Sequence, residues 1–374
     1  MVEPGHGADV RQRLAQASSR AREAGLDALL ITPGPDLRYL AGYEAVPLER
    51  LTCLVVPGEG EPVLVAPLLE RAAAAATPLA AAGVDIITWD ETDDPYRLVA
   101  DLVPRARRIG LDDHMWAAKV LRLRSAMPDA EQHPAGPVLS ALRMRKSDAE
   151  VQALARAGAA IDAVHAQVPD LLRVGRTERE VGRDIAALIL EAGHVSVDFV
   201  IVASGPHGAS PHHEVSDRVL APGDAIVVDI GGTMPDGYCS DETRTYALGD
   251  PGRDYLDAYA ALQRAQSEAV AAVRPGITCA DVDAVARQLL EDAGLGHYFI
   301  HRTGHGIGLE THEEPYIVSG NGLPLEAGMA FSIEPGFYID GRWGARIEDI
   351  VVCGDEGAVL MNHRPRELMV IDEV

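Results

Sequence analysis

Apolar positions in the first part of the chain fall in short runs between helical stretches. Residues 9–24 carry them at helical spacing and stop at Gly25. DALLITP (27–33), LTCLVVPG (51–58), EPVLVAP (61–67), VDIITW (84–89) and RRIGL (107–111) read as strands, the second and third joined into a hairpin through GEG. The alanine-rich stretch 68–83 predicts a plain helix interrupted at Pro78, because alanine is the strongest helix former and proline lacks an amide donor. Together these elements predict a small α/β unit.

The texture changes near residue 146. Ser147 with Glu150 three positions later predicts a capping box, followed by an apolar helix face of Val151, Leu154, Ala155 and Ile161 with the small Gly158 beside them. Thr177 and Glu180 open a second helix in the same way. Beyond residue 195, SVDFVIVASG, DAIVVDIGG and YCSDETRTYAL read as strands. Helices over roughly 251–274 and 279–293 follow, then strands in MAFSIEPGFYI, ARIEDIVVC, AVLMN and ELMVI. Helix pair, strands, helix pair, strands predicts a structurally duplicated α+β domain with helices on a mostly antiparallel sheet, without a sequence repeat to mark it. The expected domains are 1–146 and 147–374.

A length of 374 residues, 47% of them hydrophobic, suffices for two domains with sizeable cores. The chain has no run of about 18 apolar residues, so no membrane span is expected. The opening MVEPGHGADVRQRLAQ lacks the basic-then-apolar pattern of a secretory signal, and the expected location is cytoplasmic. A formal net charge of −24 argues against nucleic acid or an anionic membrane as a partner. Cys53, Cys239, Cys279 and Cys353 are far apart with no CxxC pair, which reads as small buried thiols in a reducing compartment.

The candidate chemistry is carried by acids placed where strands should be apolar. Asp229 is the only charged residue in AIVVDIGG, Asp241 follows in YCSDETRT, Glu334 interrupts FSIEPGFYI, and Glu348 sits in ARIEDIVV. Buried carboxylates are paired, protonated or bound to metal, because an unpaired one is costly. Between them runs HRTGHGIGLETHEEP (301–315), with His301, His305 and His312 threaded by Gly304, Gly306 and Gly308. That much glycine excludes a helix of the HExxH kind and predicts a strand or loop passing close to other backbone. GHGIG lacks the dinucleotide-binding register, and no GxSxG or P-loop string is present. Two Asp, two Glu and one His make an oxygen-rich, thiolate-free set. It suits a pair of divalent ions, Mn²⁺, Co²⁺, Fe²⁺ or Zn²⁺, and the residues do not choose among them.

Asp229 (VVDIGG), Asp241 (SDETRT), His305 (TGHGIGL), Glu334 (SIEPG) and Glu348 (RIED), with PHHEVSDR, HRTGHGIGLETHEEP and GARIEDIVV around them, resemble the pita-bread dinuclear metallopeptidases. The likeness is to the Xaa-Pro dipeptidase (prolidase) and aminopeptidase P branch and covers most of 148–374. ITPGPDLRYLAGY resembles the amino-terminal domain of that branch. The resemblance implies an α/β creatinase/prolidase-like domain followed by an α+β pita-bread domain. It implies two divalent ions held by Asp229, Asp241, His305, Glu334 and Glu348, with Asp241 and Glu348 bridging. Glu334 would also shuttle a proton, His212 would lie near the scissile bond, and His312 would steady the tetrahedral intermediate. His301, Arg346 and Tyr316 would line the substrate pocket, Arg346 either touching substrate or orienting Glu348. His207 reads as an ordinary loop residue. Tyr316 stands where prolidase-like relatives often carry arginine.

The expected reaction is attack of a metal-bridging hydroxide on an Xaa-Pro bond, most simply in a dipeptide, by a homodimeric enzyme. Its partner is a small peptide with proline second. The alternatives are an aminopeptidase P acting on longer Xaa-Pro peptides and a non-catalytic binding protein of the same fold.

Overall fold

The computed structural model describes residues 6–372. The chain divides into two compact units, one running through Arg143 and the other beginning at Met144.

In the first unit a sheet of six strands forms from β1 (Ala28–Ile31), β2 (Cys53–Pro57), β3 (Val63–Pro67), β4 (Asp85–Trp89), β5 (Arg108–Leu111) and β6 (Glu131–Pro134), in the order β4-β3-β2-β1-β5-β6. The expected hairpin is β2 and β3, antiparallel with Leu54 opposite Leu64. The helix His6–Glu23 precedes Gly25, whose φ of 72° lets the chain turn back into the sheet. The alanine-rich stretch is not one helix. It splits into a 3₁₀ turn (Leu68–Glu70) and two short helices, Arg71–Ala75 and Pro78–Ala81, with Thr77 capping the second. Pro78 cannot donate into a preceding turn, so the helix restarts there. The strand β6 and the helices Pro95–Leu102, Ala117–Ala126 and Gly136–Arg143 add to the elements expected from the sequence.

The second unit begins with two capped helices, Asp148–His165 and Glu178–Glu191, and both capping boxes are formed. The first buries Ala153, Leu154, Ala157, Gly158, Ile161 and Val164, while Ala155 faces out, one step off the expected stripe. Gly158 is required there by space, since a Cβ would overlap the Met361 carbonyl.

The helices pack on a four-stranded sheet of β7 (Ser196–Ser204), β8 (Ala225–Thr233) and β9 (Cys239–Leu248), completed at one edge by a late parallel strand. The helices Arg253–Ala272 and Cys279–Asp292 precede β10 (Gly304–Gly306), β11 (Glu313–Ile317), β12 (Ala330–Ile333), β13 (Gly336–Ile339), β14 (Trp343–Arg346), β15 (Asp349–Cys353), β16 (Ala358–Leu360) and β17 (Met369–Ile371). β11-β10-β12-β15-β16 form one sheet, β13 and β14 a hairpin, and β17 pairs with β9 as the parallel edge strand. The core under the later helices joins Tyr255, Leu262, Val282, Phe331, Phe337 and Val351, all buried.

Two details of this framework set up the site. The run MAFSIEPGFYI is two strands broken at Glu334–Pro335, and ARIEDIVVC is two strands broken at Ile347–Glu348. Ile347 donates its amide to the Pro335 carbonyl, which holds the two breaks side by side.

Candidate metal centre

Register places the first two acids. β8 and β9 pair without interruption, with Asp229 opposite Thr243 and Gly231 opposite Asp241. Paired residues, and residues two apart on one strand, share a face of the sheet. Asp229, Asp241 and Thr243 therefore lie on one face, joined from β7 by Phe199 and Ile201. The unbroken ladder leaves residues 234–238 as a separate turn, so the length of IGGTMPDGYCS is absorbed outside the sheet.

Glu334 and Glu348 arrive from the two strand breaks. Glu334 donates its amide to the Thr303 carbonyl and Glu348 its amide to the Thr243 carbonyl, at 2.8 and 3.1 Å. Both acids are thus tied to the strands that carry the remaining ligands. Arg244, on the opposite face of β9, donates to the Glu348 carbonyl at 2.6 Å and to the Asp349 carboxylate at 2.6 Å, fixing the second break from behind.

His305 lies in β10, only 2% exposed, with its amide bonded to Ser332 Oγ at 3.0 Å. A Cβ on Gly304 would overlap the Ser332 carbonyl, and one on Gly306 the Glu314 carbonyl. Neither glycine has positive φ, so what they provide is close approach of strands and not an unusual turn. The ring Nδ1 lies 3.1 Å from the Gly306 carbonyl and donates to it, which leaves the Nε2 lone pair facing the cluster of acids. That nitrogen lies 3.2 Å from Glu334, 3.6 Å from Asp241 and 3.9 Å from Glu348.

The donors fall into two overlapping groups. Asp229, Asp241 and Glu348 offer one set of mutually close oxygens, and His305, Glu334 and Glu348 another, each within 4.8 Å. Glu348 belongs to both. Asp229 Oδ1 and Glu348 Oε1 are buried and accept no hydrogen bond. Burial, then repulsion from Glu348, Asp229 and Glu334, pushes the Asp241 carboxyl well above its ordinary range. Burial and the charges of Glu334 and Asp229 do the same to Glu348, and burial lifts Glu334 to about 7 against the pull of Arg346. Burial, and then His312, holds the His305 ring down at about 3, so it is neutral and able to ligate. Crowded acids, orphaned carboxylate oxygens and a neutral imidazole with its lone pair turned inward form a set that divalent cations fit.

A cleft of about 1190 Å³ opens over these residues. His212, His301, His312, Arg302 and Arg346 line it, with Phe199, Ile201 and Leu309 as apolar wall. The His312 ring lies 3.9 Å from that of His305 and within reach of Asp241. His301 Nε2 meets the Tyr338 hydroxyl at 2.9 Å, and burial and Arg346 hold its ring at about 4. Both members of the adjacent pair border the cleft; His212 is the exposed one, whereas the His213 ring is held by Glu178 at 2.8 Å.

Arg346 and Tyr316 make contacts that the sequence does not specify. Arg346, 3% exposed, spends its guanidinium on Asp229, on the Tyr338 hydroxyl at 2.7 Å and on Thr243 Oγ1 at 3.2 Å. It supports Asp229 directly and reaches Glu348 only through Thr243, whose hydroxyl donates to Glu348 Oε2 at 2.8 Å. Tyr316 is not among the residues lining the cleft, and its ring lies beneath the Arg302 guanidinium at 4.2 Å. Thr243 and Tyr338 are contributors that sequence reasoning passes over. Thr243 was findable from the alternation that puts it on the face of Asp241, whereas nothing local marks Tyr338. His207 is not an ordinary loop residue either, since its Nδ1 lies 3.1 Å from both oxygens of Glu178.

Residues 152–355 match the model of metallopeptidase family M24, and residues 13–145 match the creatinase/prolidase N-terminal domain. The chain belongs to metallopeptidase family M24. This M24 chain is 53% identical to a probable dipeptidase PepE of Mycobacterium tuberculosis, over 96% of each protein. It is 35% identical to a Xaa-Pro dipeptidase of Lactobacillus delbrueckii, over 94% of this chain and 96% of the relative. The crystal structure of dipeptidase PepE from Mycobacterium ulcerans superposes with a TM-score of 0.95 at 56% identity, covering 98% of this chain and 99% of that one. The fold is therefore the α/β amino-terminal domain and pita-bread domain expected from the sequence, and the chain is a metallopeptidase of a divalent-metal-dependent family. No described helix is long and apolar enough to cross a membrane.

Proposed function

We propose that this metallopeptidase hydrolyses Xaa-Pro bonds in dipeptides, with two divalent cations held by Asp229, Asp241, His305, Glu334 and Glu348. The observation that carries the reading is the sharing of Glu348 by two close donor groups on the floor of one cleft. Relatives named dipeptidase and Xaa-Pro dipeptidase support the substrate class. The proposed division of labour gives 147–374 the chemistry and 1–146 the restriction of substrate length, in a homodimeric, cytoplasmic protein. Manganese is the first candidate ion.

When bound, such cations would lower the pKa of a coordinated water and polarise the scissile carbonyl. The chain's own groups do the rest. Glu334, its side chain 14% exposed at the strand break, takes the water proton and returns it to the leaving proline nitrogen. His312 donates a hydrogen bond to the developing oxyanion. His212 and His301 flank the substrate, and Arg346 and Thr243 hold Asp229 and Glu348 in place. An Xaa-Pro amide has no N–H, so an apolar wall fitted to the pyrrolidine ring selects it where an N–H acceptor cannot.

The test is hydrolysis of Ala-Pro after chelation and re-addition of Mn²⁺, Co²⁺, Zn²⁺ or Fe²⁺ singly. Activity should vanish with the chelator and return with at least one ion. A second reading, aminopeptidase P, is favoured by the roominess of the cleft and by the absence of Tyr316 from its lining. Cleavage of Ala-Pro-Ala without cleavage of Ala-Pro selects that reading, and cleavage of neither removes both.

A further inference from the structure

Glu178 is the first residue of its helix, and its side chain is fully buried. Helix-start glutamates are usually solvated, so complete burial asks for a reason. Its Oε1 accepts from the Ser204 amide at 2.9 Å, from the Ser204 hydroxyl at 2.6 Å and from His207 Nδ1 at 3.1 Å. Its Oε2 accepts from His213 Nε2 at 2.8 Å, from the Ser216 hydroxyl at 2.6 Å and from the Ser216 amide at 3.3 Å. The donors come from the start, middle and end of 204–216, the segment that carries His212 to the cleft.

Glu178, His207 and His213 have the composition of a metal site. Both oxygens, however, are already taken by hydroxyl, amide and imidazole donors, and none is orphaned as Asp229 Oδ1 and Glu348 Oε1 are. Burial pushes the Glu178 carboxyl up, yet the bonds from Ser204 and Ser216 outweigh it and hold it at about 2. An ionised carboxylate accepting this many bonds is a rigid anchor. The His207 and His213 rings, with centroids 4.4 Å apart, pack against each other over it.

We infer that Glu178 is a positioning residue that aims His212 into the cleft, by clamping His213 beside it and both ends of the 204–216 segment. The inference rests on the reading of His212 as a residue beside the scissile bond. Both imidazoles border the cleft, but His213 is tied back to Glu178, so the exposed His212 is the one of the pair left free to meet a ligand there. Freed from Glu178, the segment would sample other conformations and His212 would lose its place.

A double-mutant cycle in the metal-loaded full chain tests this, with kcat and KM for Ala-Pro measured in wild type, Glu178→Gln, His212→Ala and the double variant. Glu178→Gln keeps size but turns one acceptor into a donor facing donors. It should lower kcat/KM on the order of 10-fold, mostly in kcat. In the His212→Ala background the same change should cost about twofold or less, because the group it positions is gone. An equal cost in both backgrounds overturns the inference and leaves the peptidase reading standing. A wild type that cleaves no Xaa-Pro substrate overturns the peptidase reading and the inference with it. Thermal unfolding by circular dichroism accompanies each variant. Should Glu178→Gln not fold, His213→Ala replaces it in the same cycle with the same expected non-additivity.

Discussion

Gly231 lies in the ladder between Phe199 on β7 and Asp241 on β9, two residues from Asp229. A Cβ built there would stand 2.6 Å from the Ser240 carbonyl oxygen and 2.5 Å from two carbons of the Phe199 ring. Carbon–oxygen contacts between strands ordinarily run at about 3.3–3.6 Å, so Gly231→Ala lacks about 0.7–1 Å. The Phe199 ring can rotate away toward the cleft, but the Ser240 carbonyl is backbone and moves only with β9. Replacing a strand glycine should by itself favour folding by about 0.5–1 kcal/mol. Overpacking a tight interior costs about 1–3 kcal/mol. The clash wins, and a net loss of about 1–2 kcal/mol in urea unfolding is expected. The functional loss should exceed the stability loss. Ser240 precedes Asp241, and a displacement near 1 Å at a reacting centre costs on the order of 100-fold in rate. Metal content by elemental analysis and kcat/KM on Ala-Pro should both fall. Wild-type kcat/KM with an unmoved urea midpoint would refute the claim that the spacing of β8 and β9 sets the distance between Asp229 and Asp241.

Thr243→Val keeps shape but removes the hydroxyl joining Arg346 to Glu348, and should cost about 1–3 kcal/mol of stability and about 10-fold in metal affinity by isothermal titration. Glu334→Gln removes both a ligand charge and the proposed proton carrier, so turnover of Ala-Pro should fall at least about 100-fold, and near-normal turnover would reassign that proton. His165 is fully buried between the Tyr246 hydroxyl at 2.9 Å and the Glu242 carbonyl at 3.1 Å, and burial, with Arg244 adding, lowers its pKa from 6.5 to about 3. The unfolded chain therefore takes up this proton before the folded one does. Its contribution to stability is intact above pH 6.5 and declines between 6.5 and 3, at up to about 1.4 kcal/mol per pH unit. Urea midpoints at pH 7 and 5 should differ less in His165→Gln than in wild type.

The strands carrying the acids are legible because a charge inside an apolar run stands out, as Asp229 does in AIVVDIGG. The two strand breaks are less legible. Apolar runs continue across Glu334 and Glu348 without a change of pattern, and only Pro335 hints that a ladder ends there. The glycines around His305 announce close packing, but the strands they admit lie elsewhere in the sequence. Arg346 and Tyr316 show the limit of reading side chains without neighbours. A lone arginine near a candidate site is equally a substrate grip or a carboxylate prop, and only the contacts with Asp229, Thr243 and Tyr338 distinguish them. Glu178 reads as an ordinary acidic helix start until Ser204, His207, His213 and Ser216 are seen closing over it.

β17 lies parallel to β9, with Met369 beside Tyr246 and Ile371 beside Leu248. Trimming the chain before residue 369 would strip a neighbour from the strand that bears Asp241 and bare the amides and carbonyls of its apolar end, Tyr246–Leu248. Such an edge recruits other chains, so affinity tags and truncations belong at the other terminus if the protein is to be kept from clumping.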